Sequence, residues 1–319
     1  MNGQAVKVVA TRDFRYPPDM GTAWFSPITT FLLVSRLHIV TIAALGTLTF
    51  GWLFTGEYLW TLPLIAAVDW FLVNLVNRVV DLPEDRANRI TGTDWVARHS
   101  KILLALSVGV LATSFVVVQC LQPALWPLRA GYHLLGFAYN YPLLPLGRER
   151  RIRLKEIYGV KNTASAMGFL ITVFGYPLAS SWGGLQVGWD YVITMALFFF
   201  FSELSYEVVY DLRDIPGDRE AGIPTFPVVH GLEVTRSIVY GLLALSAMAL
   251  ITGYAADLID WPAFIMIVGL GVQLAAYQYF QRRGVTATDC ILLTLTGAGL
   301  LLAYNLWVWS GLPLNPFSS

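Results

Sequence analysis

The sequence predicts an all-α integral membrane protein, with about nine transmembrane helices around a central cavity and acidic motifs at one end of it. Three observations predict this class. Hydrophobic residues make up 56% of the 319 residues and charged residues only 13%, with a mean hydropathy of +0.58. Several apolar runs reach the ~20 residues needed to cross a bilayer core. These runs also lack the alternation over about ten residues that marks a membrane β-strand. Backbone groups in lipid must then be satisfied within helices.

The elements follow in order. The first 24 residues, with Arg12, Arg15 and Pro17-Pro18, are polar and lack the short apolar core of a cleaved signal peptide. They read as a cytoplasmic amino-terminal arm, and 25–319 as one transmembrane domain. Spans are expected at 28–53 and 58–80, divided near Glu57, and at 102–120 and 125–145, divided by Pro123 and Pro127. Two more fall at 160–181 and 189–210, either side of Trp182. The last three are 234–255, 261–281 and 287–309, with Asp257 and then Arg282-Arg283 between them.

Lys and Arg set the orientation. With the amino terminus cytoplasmic, the loops on that side hold Arg86, Arg89, Arg98 and Lys101. They also hold Arg148, Arg150, Arg151, Arg153 and Lys155, then Arg213, Arg219 and Arg236, then Arg282 and Arg283. The opposite loops carry almost none, Arg129 being the one ambiguous residue. This is a positive-inside pattern, and it turns both acidic segments described next towards the cytoplasm.

Those segments are Asn77-Arg-Val-Val-Asp81-Leu-Pro-Glu-Asp85 and Tyr206-Glu207-Val-Val-Tyr210-Asp211-Leu-Arg-Asp214-Ile-Pro-Gly-Asp218. Each lies where an apolar run meets a polar loop. A helix turns about 100° per residue, so a four-residue step returns to nearly the same face. Asn77, Asp81 and Asp85 therefore share a stripe, with Pro83 expected to end the helix near Asp81. Glu207, Asp211, Asp214 and Asp218 share another. Clustered carboxylates repel one another at a low-dielectric boundary. Arg78, Arg86 and Arg213 offset part of this. Divalent cations offset it better, and Mg²⁺ binds through a few carboxylates plus substrate phosphates. Two acidic walls suit a diphosphate bridged by two metal ions. Ordinary helix-end salt bridges are the alternative, and the pairing of two similar segments on one membrane side argues against it. His38, His99, His133 and His230 are scattered, and Cys120 and Cys290 lack metal-ligand spacing, so zinc is not indicated. The 21 basic and 21 acidic residues balance, which gives no footprint for nucleic acid.

On these motifs the chain resembles the UbiA-type intramembrane prenyltransferases over nearly its whole length. Asn77-x-x-x-Asp81-x-x-x-Asp85 resembles the family's first acidic motif. Asp214-x-x-x-Asp218 resembles its second, and Gly222-Ile223-Pro224-Thr225 is similar to the Gly-x-x-Ser/Thr that follows. Tyr206-Glu207 resembles an upstream Tyr-Asp pair, and the additional Asp211 resembles the menaquinone, homogentisate and archaeal lipid branches. Arg36 matches an arginine of the first span, although Leu37 stands where Pro is common. Tyr139-Asn140-Tyr141-Pro142, the basic run Arg148 to Lys155, and Lys161 resemble a segment that contacts diphosphate.

The resemblance implies a magnesium enzyme in which Asp81, Asp85, Asp214 and Asp218 hold two Mg²⁺ with help from Asn77 and Asp211. It places Arg36, Asn77, Tyr141, Arg148, Lys155, Lys161 and Tyr206 around the diphosphate of an allylic prenyl donor. The implied reaction ionises the donor to an allylic cation, which prenylates a lipophilic, aromatic or quinone-precursor acceptor. A cyclase using the same donor without acceptor is the alternative within the family, and a transporter with an acidic vestibule is the alternative outside it. Asp69, eight residues before Asn77, and Glu203, four before Glu207, are ionisable residues within spans and so candidate pocket groups with Glu207. For Asp69 a polar contact between helices is the competing reading. Among the aromatic residues, Trp70, Phe71, Phe137 and Phe199 to Phe201 are candidates to shield a carbocation, with lipid-facing or packing roles the expected reading for most of them.

Overall fold

A computed structural model describes residues 34–146, 150–181 and 184–311. The amino-terminal arm and Arg148 lie outside the described residues. Ten helices carry the described residues: α1 Leu37–Thr55, α2 Thr61–Val80, α3 Leu82–Ala87, α4 Thr93–Leu121, α5 Trp126–Asn140, α6 Val160–Ser180, α7 Trp189–Glu220, α8 Phe226–Ala255, α9 Trp261–Gln281 and α10 Ala287–Trp309. Eight of them are long and apolar enough to cross a membrane. The expected fourth span is the exception. α5 has 15 residues, about 22 Å of rise against a hydrocarbon core of about 30 Å. A 3₁₀ turn, Pro123–Leu125, joins it to α4.

Three features of the chain shape the site. α7 runs past the expected end of its span at 210 to Glu220, with Pro216 inside it, so Asp211, Asp214 and Asp218 stand on continuous helix, as their shared stripe requires. α2 ends at Val80, and Asp81 (φ −90°, ψ 21°) turns the chain into α3, which carries Pro83 in its first turn. Proline suits that position because the first N–H groups of a helix have no partner within it. The segment after α5 also leaves the all-α pattern. Tyr141, at its end, is extended, and β1 Leu144–Leu146 pairs antiparallel with β2 Arg150–Ile152, Leu144 opposite Ile152. Pro142 and Pro145 cannot donate to a helical ladder, and the hairpin returns the basic segment towards α3.

Apolar side chains fill the bundle. Phe50 of α1 lies 4.5 Å, centroid to centroid, from Phe174 of α6. α7 packs along α8, and α1 lies between α2 and α10. α6 passes through a π-helical stretch, Ile171–Gly175, just before Pro177. There Trp70 Nε1 donates to Thr172 Oγ1 at 3.0 Å, and Trp70 stacks on Phe169 at 4.0 Å. α8 is interrupted at Gly231 (φ 77°, ψ 178°), a left-handed backbone that glycine adopts without a Cβ penalty. The apolar stretch therefore starts there, near the expected 234.

Candidate active site

The site is built where α2 and α3 face α6 and α7. Both acidic stripes end on one cavity of about 170 Å³, lined also by α1 and α5. From the first wall come Asn77, Asp81, Glu84 and Asp85; from the second come Glu203, Glu207, Asp211, Asp214 and Asp218. Arg36, Lys155, Lys161 and Arg213 are the basic side chains that line it.

Each acid at the mouth is held by a cation. Lys155, buried to 1% exposure, donates to Asp81 Oδ1 and Glu84 Oε2, both at 2.6 Å. Arg153 donates to Glu84 Oε1 at 2.9 Å. Arg78 donates to Asp85 from behind the wall, and Arg36 lies 3.9 Å from the other oxygen of that carboxyl. On the second wall Lys161 Nζ is 2.8 Å from both Asp211 and Asp218. Asn162 Nδ2 donates to Asp211 at 2.8 Å, and Arg213 Nε donates to Asp214 at 2.7 Å. Burial pushes the Asp81 and Asp85 carboxyls above the usual carboxylate range, although Lys155 and Arg78 respectively pull them down.

The two walls are fixed to each other by a close backbone approach. The Gly217 N–H of α7 donates to Asn88 Oδ1, just after α3, at 2.7 Å. A Cβ at Gly217 would meet the Glu84 carbonyl oxygen at 2.7 Å and Asn88 Nδ2 at 2.5 Å. Arg36 stands just before α1 with φ 48°, an uncommon left-handed conformation for a residue with a Cβ, and its side chain lines the cavity.

Away from the mouth the lining becomes apolar. α2 and α5 run towards the acids and α6 runs away from them, so Trp70, Tyr132 and Phe169 form the floor. Trp70 lies 5.6 Å from Tyr132, edge to face. Glu203 lines this deeper part, one turn of α7 before Glu207, whose carboxyl accepts from Ser165 Oγ at 2.6 Å. The cavity is thus an ionic mouth over an aromatic floor.

The donor set suits a hard divalent cation: carboxylate and amide oxygens, with no histidine or cysteine among the lining residues. No group of three such carboxyls is already gathered at ligating distance among the described residues; Lys155 and Lys161 each bridge two of them, and Arg78 and Arg213 each hold one. Eight carboxyls face four basic side chains around the cavity, and this imbalance favours added cationic charge.

Most of the residues singled out from sequence meet here: Arg36, Asn77, Asp81, Asp85, Lys155, Lys161, Glu203, Tyr206, Glu207, Asp211, Asp214 and Asp218. Two do not. Tyr141 caps α5 outside the lining, and Tyr139 lines the cavity instead. Asp69 is fully buried away from it, where Arg129 Nε (2.9 Å), His133 Nε2 (2.9 Å) and Tyr176 Oη (2.7 Å) surround its carboxyl. It is the polar contact between helices, and it explains Arg129, the arginine that fitted no loop. Arg78 and Arg213 neutralise acids as expected, whereas Arg86 pairs at 3.8 Å with the exposed Asp94. Of the aromatic residues, Trp70 alone among those named lines the cavity; Phe71 and Phe199 pack in the core, and Phe137 is exposed. Glu84, Asn88, Ser165 and Gly217 were not singled out. Glu84 sits beside Asp85 in the acidic segment and was the most visible of them.

A model of the UbiA prenyltransferase family matches residues 37–295. The digeranylgeranylglyceryl phosphate synthase of Natronomonas pharaonis is 29% identical over 97 residues, 30% of this chain and 35% of that protein. The match thus spans about a third of that relative's length. A UbiA homologue from Archaeoglobus fulgidus, solved with DMAPP and Mg²⁺ and with GPP and Mg²⁺, superposes with a TM-score of 0.65 at 14% identity. It covers 88% of this chain and 99% of its own. A structure of digeranylgeranylglyceryl phosphate synthase gives 0.52 at 14% identity, covering 88% and 95%. Identities this low show the fold alone. The family match extends over most of the chain, from the start of α1 into α10, and on it this multi-pass membrane protein belongs to the UbiA prenyltransferase family.

Proposed function

We propose that the protein transfers a prenyl group from an allylic prenyl diphosphate to a lipophilic, aromatic or quinone-precursor acceptor in a Mg²⁺-dependent reaction. The carrying observation is the pair of carboxylate walls, joined at Gly217 and Asn88, that face each other over a cavity with an aromatic floor. The Archaeoglobus fulgidus homologue, solved with DMAPP or GPP and Mg²⁺, has the same fold and supports this donor class.

In this reading Asp81, Asp85, Asp211, Asp214 and Asp218, with Asn77, hold two Mg²⁺, which supply positive charge to offset that developing on the leaving diphosphate. Lys155, Lys161, Arg36 and Arg213 stand at the same mouth and bind the phosphoryl oxygens, adding fixed positive charge where negative charge grows. The bond between the allylic carbon and the diphosphate oxygen breaks with its electron pair on the oxygen. Trp70, Tyr132 and Phe169 enclose the prenyl chain, present ring faces to the cation and exclude water that would convert it to an alcohol. The mouth faces the cytoplasm on the Lys and Arg bias of the loops, and Arg148 belongs to the same basic segment as Lys155.

The test is purified protein in detergent with Mg²⁺ and geranyl, farnesyl or geranylgeranyl diphosphate, with and without aromatic acceptors. A prenylated acceptor and stoichiometric diphosphate are expected. A cyclic hydrocarbon formed without acceptor would replace the transferase by a cyclase. Absence of donor binding together with solute uptake into liposomes would replace both by a transporter.

A further inference from the structure

Glu203 is a carboxyl that the ionisation step does not use. It is 9% exposed and lines the cavity one turn deeper than Glu207, about 6 Å further along α7. Its neighbours on the helix are partnered. Gln273 of α9 accepts from Ser202 (3.2 Å) and donates to Ser205 (2.7 Å), Ser165 donates to Glu207 (2.6 Å), and Tyr210 bonds to Thr294 (2.8 Å). Among the described residues no side chain donates to Glu203 and no base pairs with it. The basic residues of the lining, Arg36, Lys155, Lys161 and Arg213, each pair with acids at the mouth.

An unpaired ionisable group inside a membrane span is costly to keep and marks a functional position. Resting on the transferase reading above, we propose that Glu203 is the catalytic base for the acceptor, and that the acceptor group seated at the floor is uncharged and hydroxyl-bearing, a phenol or an alcohol. A carboxylated or phosphorylated head there would meet Glu203 and Glu207 with no cation of the floor to offset it. A hydroxyl hydrogen-bonds to the carboxylate and lies flat against Trp70 and Phe169. As the allylic carbon–oxygen bond breaks and its electron pair leaves on the diphosphate, the acceptor oxygen, or the ring carbon that it activates, forms the new bond to the allylic carbon. The hydroxyl proton passes to the Glu203 carboxylate, and where a ring carbon forms the bond the hydrogen on that carbon shifts to the oxygen as the ring regains aromaticity, so charge and atoms balance without a further reactant.

The experiment compares wild type, Glu203→Gln and Glu203→Asp in detergent with Mg²⁺, with two readouts. The first is transfer to neutral hydroxylated and to carboxylated aromatic acceptors. The second is binding of a non-hydrolysable thiolodiphosphate analogue of the donor. Glu203→Gln keeps the shape but cannot take the proton, so transfer should fall by about 10²-fold or more with analogue affinity unchanged. Glu203→Asp should recover part of the rate, and wild type should prefer the neutral acceptors. Wild-type transfer rates in Glu203→Gln overturn the assignment. So does a parallel loss of analogue binding, which a merely structural role would give. Wild type that binds the analogue yet prenylates only carboxylated acceptors overturns the acceptor class, and wild type that binds no analogue overturns the proposed function itself.

Discussion

Lys155 and Lys161 each bridge two carboxyls, one lysine on each acidic wall. A lysine ammonium is a compact charge on a flexible stem, so it can pair with acids and equally turn to the phosphoryl oxygens of a donor. In this account Lys161→Met leaves Asp211 and Asp218 without their shared cation, Asp211 keeping only its bond from Asn162, and removes one positive charge from beside the leaving group. Turnover should fall by about 10²-fold, measured as Mg²⁺-dependent diphosphate release, while excess Mg²⁺ restores folding stability more than rate. The acids themselves were legible from sequence because four-residue spacing on a helix puts them on one face. Glu84, Ser165 and Asn88 were not, because each acquires its contact from a different element: Glu84 from Lys155 and Arg153, Ser165 from Glu207, Asn88 from Gly217.

At the scale of elements, the decisive contact is between α3 and α7. Pro216 interrupts the α7 ladder, and the next residue, Gly217, lets the backbones meet where a side chain would not fit. Gly217→Ala should push the two walls apart. The expected result is weaker Mg²⁺-dependent binding of a thiolodiphosphate donor analogue, with the helical content of the protein unchanged by circular dichroism. Unaltered analogue affinity would show that the spacing of the walls does not matter. The helices were readable from apolar length, and the eight long ones lie close to where the runs fall. The ten residues by which α7 outlasts its apolar run were legible only through the helical spacing of their acids, since apolar length stops near 210 and Pro216-Gly217 weakens the helical signal. In the fold that segment is held by its ion pairs with α6 and its packing on α3. The β1–β2 hairpin and the shortness of α5 were hidden, although Pro142 and Pro145 mark where helix becomes impossible.

Across the whole molecule, two buried polar centres divide the work. In the proposed function the cavity gathers charge for binding; the Asp69 cluster ties α2, α5 and α6 together inside the bundle. Removing one partner of a fully buried ion pair leaves the other uncompensated, at a cost of about 3–5 kcal/mol. Asp69→Asn should therefore lower the Tm in detergent while leaving donor-analogue affinity as in wild type at temperatures where the fold persists. Loss of affinity with an unchanged Tm would instead return Asp69 to the site. The central claim is that the two acidic walls act together to bind a diphosphate through divalent cations. Its most direct measurement is the affinity of a thiolodiphosphate analogue as Mg²⁺ is titrated, in wild type, Asp81→Asn and Asp214→Asn. The account predicts tight, Mg²⁺-dependent binding in wild type and loss of the Mg²⁺ dependence when either wall is altered. Binding that ignores Mg²⁺, or that survives the change in one wall intact, would contradict it.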